Sequence, residues 1–187
     1  MTKAIIFHGT QGSPEGNWFR WLEKELTKTG VEVWLPKLPN ADRPSLKEWT
    51  DFVFENCPFD IDEETILIGH SSGGILVLTI LQRTTNKVKA AFCISAFKDN
   101  DFLSWEANNR LFDVPFNFAK IKDHTDSITF IQSDNDPYVP VEHSKYLASK
   151  TKGKLIVIPG QGHFNLETSP KYKEFPELLE IIKEKVK

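Results

Sequence analysis

Cysteine is scarce in this chain: Cys57 and Cys93 are its only two. Two cysteines cannot make a disulfide framework. Cys93 falls inside a strand-like run, so both read as buried thiols of a reducing cytoplasm. Long apolar runs are missing, and none is long enough to span a bilayer. The first eight residues run straight into an apolar strand pattern (Ala4, Ile5, Ile6, Phe7). They lack the charged region, apolar region and cleavage site of a secretion signal, so a cytoplasmic location is expected. No histidine or cysteine spacing matches a zinc motif, and neither metal nor cofactor is expected. A large excess of either charge sign is also missing. A net charge of -3 gives no reason to expect nucleic acid or an anionic membrane as partner. The chain holds no G-x-x-x-x-G-K-S/T, and Gly160-Gln161-Gly162 lacks the rest of a dinucleotide fingerprint, which discounts a nucleotide or flavin protein. No internal repeat, low-complexity tract or linker is legible.

What is present suits one domain over residues 1–187: 40% apolar and 26% charged residues, enough chain to bury a core. Short apolar, β-branched runs alternate with longer amphipathic ones. Strands are expected at 3–8, 31–36, 65–69, 88–95, 127–132 and 154–159. They are nearly continuous in apolar residues, as strands covered on both faces should be. Helices are expected at 15–29, 45–56, 72–83, 140–150 and 175–186. The first carries Trp18, Leu22 and Leu26 on one stripe. The second opens on Ser45-Leu46-Lys47-Glu48, a capping box. Such alternation implies an open, mostly parallel six-stranded sheet with helices on both faces, an α/β fold whose ligands bind at the carboxyl ends of the strands. One long irregular stretch, 96–126, holds Phe102, Trp105, Phe112, Phe116 and Phe118. It is too aromatic for a disordered loop and too short for a separate lid, so most of these rings should fill a satellite core, with one or two shaping a pocket.

The residues just after the strands carry the chemistry. Gly69-His70-Ser71-Ser72-Gly73 is a G-x-S-x-G sequence between a strand and a helix. A serine there must sit on a tight, strained turn, and glycines two residues either side leave room for neighbouring backbone. Ser71 is the expected nucleophile. A serine hydroxyl needs a base, and the base needs an orienting acid. Of five histidines, His163, after the sixth strand, fits as base. His8 and His70 should support loops, His124 precedes a strand at the wrong edge, and His143 belongs to a helix. After the fifth strand come both Asp134 and Asp136, and position alone leaves the acid open between them. Oxyanion donors are expected from the N–H of Ser72 and from the glycine-lined loop after the first strand, at Thr10 or, failing that, Gln11.

Taken together, His8-Gly9-Thr10, Trp18-Phe19-x-Trp21-Leu22, Gly69-His70-Ser71-Ser72-Gly73, Asp136-Pro137-Tyr138-Val139-Pro140 and Gly160-x-Gly162-His163 resemble the small serine hydrolases related to retinoblastoma-binding protein nine. The resemblance covers nearly the whole chain. It implies a minimal α/β-hydrolase fold without a large cap domain. It places the acid in the D-P-x-V-P stretch, at Asp136. The leucine-x-cysteine-x-glutamate motif by which pocket proteins are bound is absent, so that role does not carry over.

The leading expectation is hydrolysis of a small, partly apolar ester or amide through an acyl-enzyme. The same groups would serve an acyltransferase, a thioesterase or some lyases. A non-enzymatic binding protein on a hydrolase scaffold has no physical need of serine, acid and histidine in the right order. Neither natural substrate nor oligomeric state is legible.

Overall fold

The computed structural model describes residues 1–100 and 110–186. Six strands form one sheet: β1 (Lys3–Phe7), β2 (Glu32–Trp34), β3 (Thr65–His70), β4 (Ala90–Ile94), β5 (Ile128–Gln132) and β6 (Lys154–Val157). Their order is β2-β1-β3-β4-β5-β6, and every neighbouring pair is parallel. The helices are α1 (Phe19–Lys28), α2 (Leu46–Asn56), α3 (Ser72–Arg83), α4 (Phe118–Asp123), α5 (Val141–Thr151) and α6 (Pro176–Val186).

Side chains alternate across each strand, so one sheet has two cores. Ile5, Phe7, Leu67, Ala91, Cys93 and Phe130 face α2, α3, α4 and α5. Ala4, Ile6, Ile66, Ile68, Phe92 and Ile131 face α1 and α6. The central strands β3, β4 and β5 are buried throughout, which explains their unbroken apolar runs. The edge strands β2 and β6 are part-exposed and shorter than their apolar runs imply.

Residues 118–123, inside the stretch expected to be irregular, form α4, and the sequence reading needs further adjustment at three places. Helix α1 starts at Phe19 rather than residue 15, because Asn17 sits at φ +48 and breaks the turn. The capping box at α2 is half made. Ser45 Oγ accepts the Glu48 N–H at 3.2 Å, but Glu48 bonds Asn40 instead of reaching back. Cys57 is half-buried rather than buried; it and Cys93 are free thiols.

Chain order and space diverge at β1. After β1 the chain runs through α1 on one face outward to β2, and after β3 it runs through α3 on the other face to β4. The two connections leave in opposite directions and open a crevice at the carboxyl ends of β1 and β3. Among the described residues, no helix is long and apolar enough to cross a membrane.

Candidate active site

Ser71 follows β3 at φ +57, ψ -123, a conformation an L-residue holds only under constraint. The constraint is steric. A Cβ on Gly69 would stand 2.1 Å from the Gly73 carbonyl oxygen, and one on Gly73 would stand 2.5 Å from the carbonyl oxygens of Phe7 and His8. Only hydrogen at both positions lets β3, α3 and the end of β1 close this tightly. The Ser71 N–H donates to the Ile94 carbonyl at 2.8 Å. Helix α3 begins at the next residue, with its unpaired N–H groups at the serine.

The loop after β6 presents His163, whose Nδ1 lies 2.8 Å from Asp136 Oδ2. Asp136 is the carboxylate that this imidazole meets. Its side chain is fully shielded from solvent. Oδ2 also accepts from Ser95 Oγ and Gln132 Nε2, each at 3.0 Å. Oδ1 accepts the N–H of Tyr138 at 2.9 Å and of Val139 at 3.0 Å. Burial opposes the negative charge, but the imidazole and these N–H donors outweigh it, and the Asp136 carboxyl lies below the usual carboxylate range.

Asp134 does something else. Ser133 Oγ, Asp134 Oδ1 and Asn135 Oδ1 accept the N–H groups of Gln161, Gly160 and Gly162, all at 2.8 Å. Three consecutive side chains after β5 thus grip three consecutive amides just before His163. From the other side, Trp18 Nε1 donates to the Phe164 carbonyl at 3.0 Å, and the Leu166 N–H donates to Asn17 Oδ1 at 3.0 Å. His70 Nε2 is 2.7 Å from the His163 carbonyl, which can only accept, so that nitrogen carries the proton. Burial pushes the His70 pKa down to about 3, and the neighbouring His163 adds to this, so the ring stays neutral.

His8 holds the loop after β1. Its Nε2 accepts the Leu38 N–H at 3.0 Å, which leaves Nδ1 to donate to the Gly9 carbonyl at 2.9 Å. In that loop the Thr10 N–H donates to Ser72 Oγ at 2.6 Å, and the two hydroxyls are 2.9 Å apart. The Gln11 N–H donates to the Ala41 carbonyl at 2.8 Å. Ser71, His163 and Thr10 line one cleft of about 340 Å³, together with Phe97, Tyr138 and Glu167. Among the described residues, Ser71 Oγ takes part in no hydrogen bond.

Three cleft residues and two buried partners of Asp136 were not found from sequence. Phe97 and Tyr138 are ordinary aromatics by pattern, Glu167 an ordinary loop carboxylate, and Ser95 and Gln132 strand-end polar residues. Only the strand-end position of the last two gave any signal. Of the five rings in the 96–126 stretch, Phe102 and Trp105 lie outside the described residues. Phe112, Phe116 and Phe118 meet one another edge-on or tilted, ending on Tyr146, and pack on the core of the α2–α5 face, as expected of most of these rings.

Comparison with known proteins matches this architecture. The serine hydrolase family model fits residues 4–184. The chain belongs to the serine hydrolase family. It is a hydrolase, and its relatives span its length. It is 28% identical to the serine hydrolase RBBP9 of Rattus norvegicus over 97% of this chain and 94% of that one. It is also 28% identical to YdeN of Bacillus subtilis (strain 168), over 88% and 87% of the two chains. The YdeN crystal structure superposes with a TM-score of 0.87, at 24% identity over 98% of each chain. Est1E of Butyrivibrio proteoclasticus, solved with ferulic acid bound, shares the fold at a TM-score of 0.71 and 18% identity, covering 100% of this chain and 90% of that one.

Proposed function

We propose that this serine hydrolase cleaves small, partly apolar esters or amides through an acyl-enzyme, with Ser71 as nucleophile, His163 as base and Asp136 as orienting acid. The observation that carries the reading is the pairing of two features on one cleft: a serine held on a strained strand-to-helix turn, and a histidine whose far nitrogen rests on a shielded carboxylate. With Nδ1–H committed to Asp136, Nε2 is the free lone pair that can take the Ser71 proton. The carboxylate then stabilises the imidazolium without being protonated. The free enzyme need not show the serine–histidine bond, since such contacts tighten when substrate arrives.

The carbonyl oxygen needs donors as it becomes an oxyanion. The Ser72 N–H, at the first position of α3, is one. Thr10 supports the second better than Gln11 does. Its N–H rests on the Ser72 hydroxyl, which can rotate away, whereas the Gln11 N–H is held by a backbone carbonyl. His163 returns the proton to the leaving group, and water repeats the sequence to release the acid. A cleft of about 340 Å³ is at the small end of ligand sites, which favours small substrates over lipid aggregates.

The test is covalent. A fluorophosphonate reporter should label the native protein at Ser71, mapped by mass spectrometry. Ser71→Ala should remove both labelling and ester turnover while the circular dichroism spectrum stays native. An adduct on any other serine would overturn the assignment. Acyl transfer to an added alcohol or amine in preference to water would instead reassign the reaction to group transfer.

A further inference from the structure

The cleft wall has one sign of charge. Among the described residues that line it, Glu167 is the one acidic side chain, and no lysine or arginine is present. Its carboxylate takes part in no ion pair among the described residues. Lys171, the nearest lysine in sequence, bonds Gln161 and sits over the Tyr172 ring instead. Glu167 does have an aromatic neighbour: a hydrogen bond to it, with its charge, pushes the Tyr138 phenol up to about 12. Tyr138 in turn meets the His163 ring edge-on, with centroids 5.1 Å apart.

These positions select one side of the reaction. The imidazole that takes the serine proton gives it to the departing atom, so the leaving group must lie against His163. Glu167 is four residues beyond His163 in the same loop, and Tyr138 is two beyond Asp136. Tyr138 touches the His163 ring and Glu167 lies against Tyr138, so both border the histidine side of the cleft, where the departing atom takes its proton. An alcohol, thiol or amine leaving group extending from His163 toward solvent meets a phenol ring and then a carboxylate. A positive charge gains at both, through the ring quadrupole and the ion pair, whereas a negative one is repelled.

We propose that Glu167, backed by Tyr138, forms a leaving-group subsite for a cationic substituent, so that the enzyme prefers esters, thioesters or amides whose departing half carries an ammonium or guanidinium group. This rests on Ser71 and His163 acting as above. Glu167 is exposed, so the preference is moderate: about five- to tenfold in kcat/KM at low salt, the range of a part-solvated ion pair with an aromatic neighbour. It shrinks toward unity in ~1 M salt as the charge is screened.

Matched thioacetates test it. One has a leaving thiol ending in trimethylammonium, a second ends in the neutral tert-butyl isostere, and a third ends in a carboxylate. In each, the Ser71–acetyl bond forms as the carbon–sulfur bond breaks, and the His163 proton goes to the thiolate. The expected order of kcat/KM is cation, neutral, anion. Glu167→Gln should bring the cation-to-neutral ratio to within about twofold of unity, and Glu167→Lys should reverse it. A wild-type ratio near one, or a preference that survives Glu167→Gln, overturns the proposal. Turnover that survives Ser71→Ala overturns the catalytic reading itself, whatever the ratio. A second measurement does not depend on turnover. Choline and 3,3-dimethylbutanol are compared for slowing fluorophosphonate labelling of Ser71. Choline should protect at several-fold lower concentration, and equal protection overturns the subsite.

Discussion

Around Ser71 the backbone is held by atoms that leave no room: Gly69, Gly73, and the carbonyls of Phe7 and His8 fill the turn to contact. Around His163 the backbone is held by hydrogen bonds, from Ser133, Asp134 and Asn135 on one side and from Asn17, Trp18 and His70 on the other. The two halves of one site thus rest on different physics. Steric exclusion tolerates no substitution but needs no partners. A hydrogen-bonded loop is distributed over many residues, and each contributes a modest share. The Ser71 half should therefore break all at once, and the His163 half by degrees, except where a single group carries the charge.

That exception gives the largest expected effect. Asp136→Asn should lower kcat by on the order of 10⁴-fold, because an amide at this position can donate to Nδ1 and so hold the imidazole in the wrong tautomer. Asp134→Asn keeps an oxygen for the Gly160 N–H and should cost less than about threefold. Steady-state kinetics on one activated ester ranks the two. The reverse ranking would assign the acid to Asp134.

Next comes the elbow. Gly69→Ala places a carbon 2.1 Å from a backbone oxygen that cannot move without unwinding the first turn of α3. A loss of at least about 3 kcal/mol is expected, at the top of the overpacking range. Urea denaturation measures it. A fully active Gly69→Ala protein of native stability would show that the turn has slack.

A smaller effect tests the His163 loop through pH. His70 has its folded pKa lowered from 6.5 to about 3, so between those values the unfolded chain holds a proton that the folded chain does not. Stability from this group is complete above pH 6.5 and is lost as pH falls. Between pH 6.5 and pH 5 the loss is about 1.6 kcal/mol, since the unfolded imidazole is only half protonated at pH 6.5 and the slope then rises toward 1.36 kcal/mol per unit. His8, lowered by burial, acts in the same direction. His70→Gln retains a donor for the His163 carbonyl but does not titrate. Its urea midpoint should therefore fall less than that of wild type over this interval. Equal slopes would mean that His70 charges freely in the fold.

The same contrast explains what could be read from sequence. The elbow was legible because exclusion imposes residue types at fixed spacing: two glycines about a serine, between a strand and a helix. The parallel sheet was legible because β3, β4 and β5 are buried on both faces and so are nearly continuous in apolar residues. Hydrogen-bonded support leaves no such spacing. Asp134 and Asp136 are two residues apart in one turn. Their different tasks follow from which amides and which imidazole they face, which the sequence does not record. Ser95 and Glu167 are equally anonymous, since each acts on a group that is distant in sequence. The start of α1 was misplaced for a related reason. Its stripe begins at Trp18, but Asn17 is spent on Leu166, in the loop that follows His163.

The smallest effect separates holding Asp136 from sharing its charge. Ser95 donates to Asp136 Oδ2, the oxygen that faces His163. Gln132 donates to the same oxygen and is itself fixed by Ser144 and by the Val139 carbonyl. With Ser95→Ala the carboxylate retains Gln132 and the amides of Tyr138 and Val139, so its position should survive. Its charge, however, is shared with one donor fewer, and more of it faces the imidazole. The imidazolium is favoured, and the base needs a higher pH to lose its proton. The acid limb of kcat/KM should move up by about half a unit, roughly 0.7 kcal/mol, while the plateau kcat stays within about threefold. The measurement is a pH–rate profile for wild type and Ser95→Ala on one ester. A tenfold drop in plateau kcat with an unmoved limb would mean that the serine holds the acid in place and does not tune it.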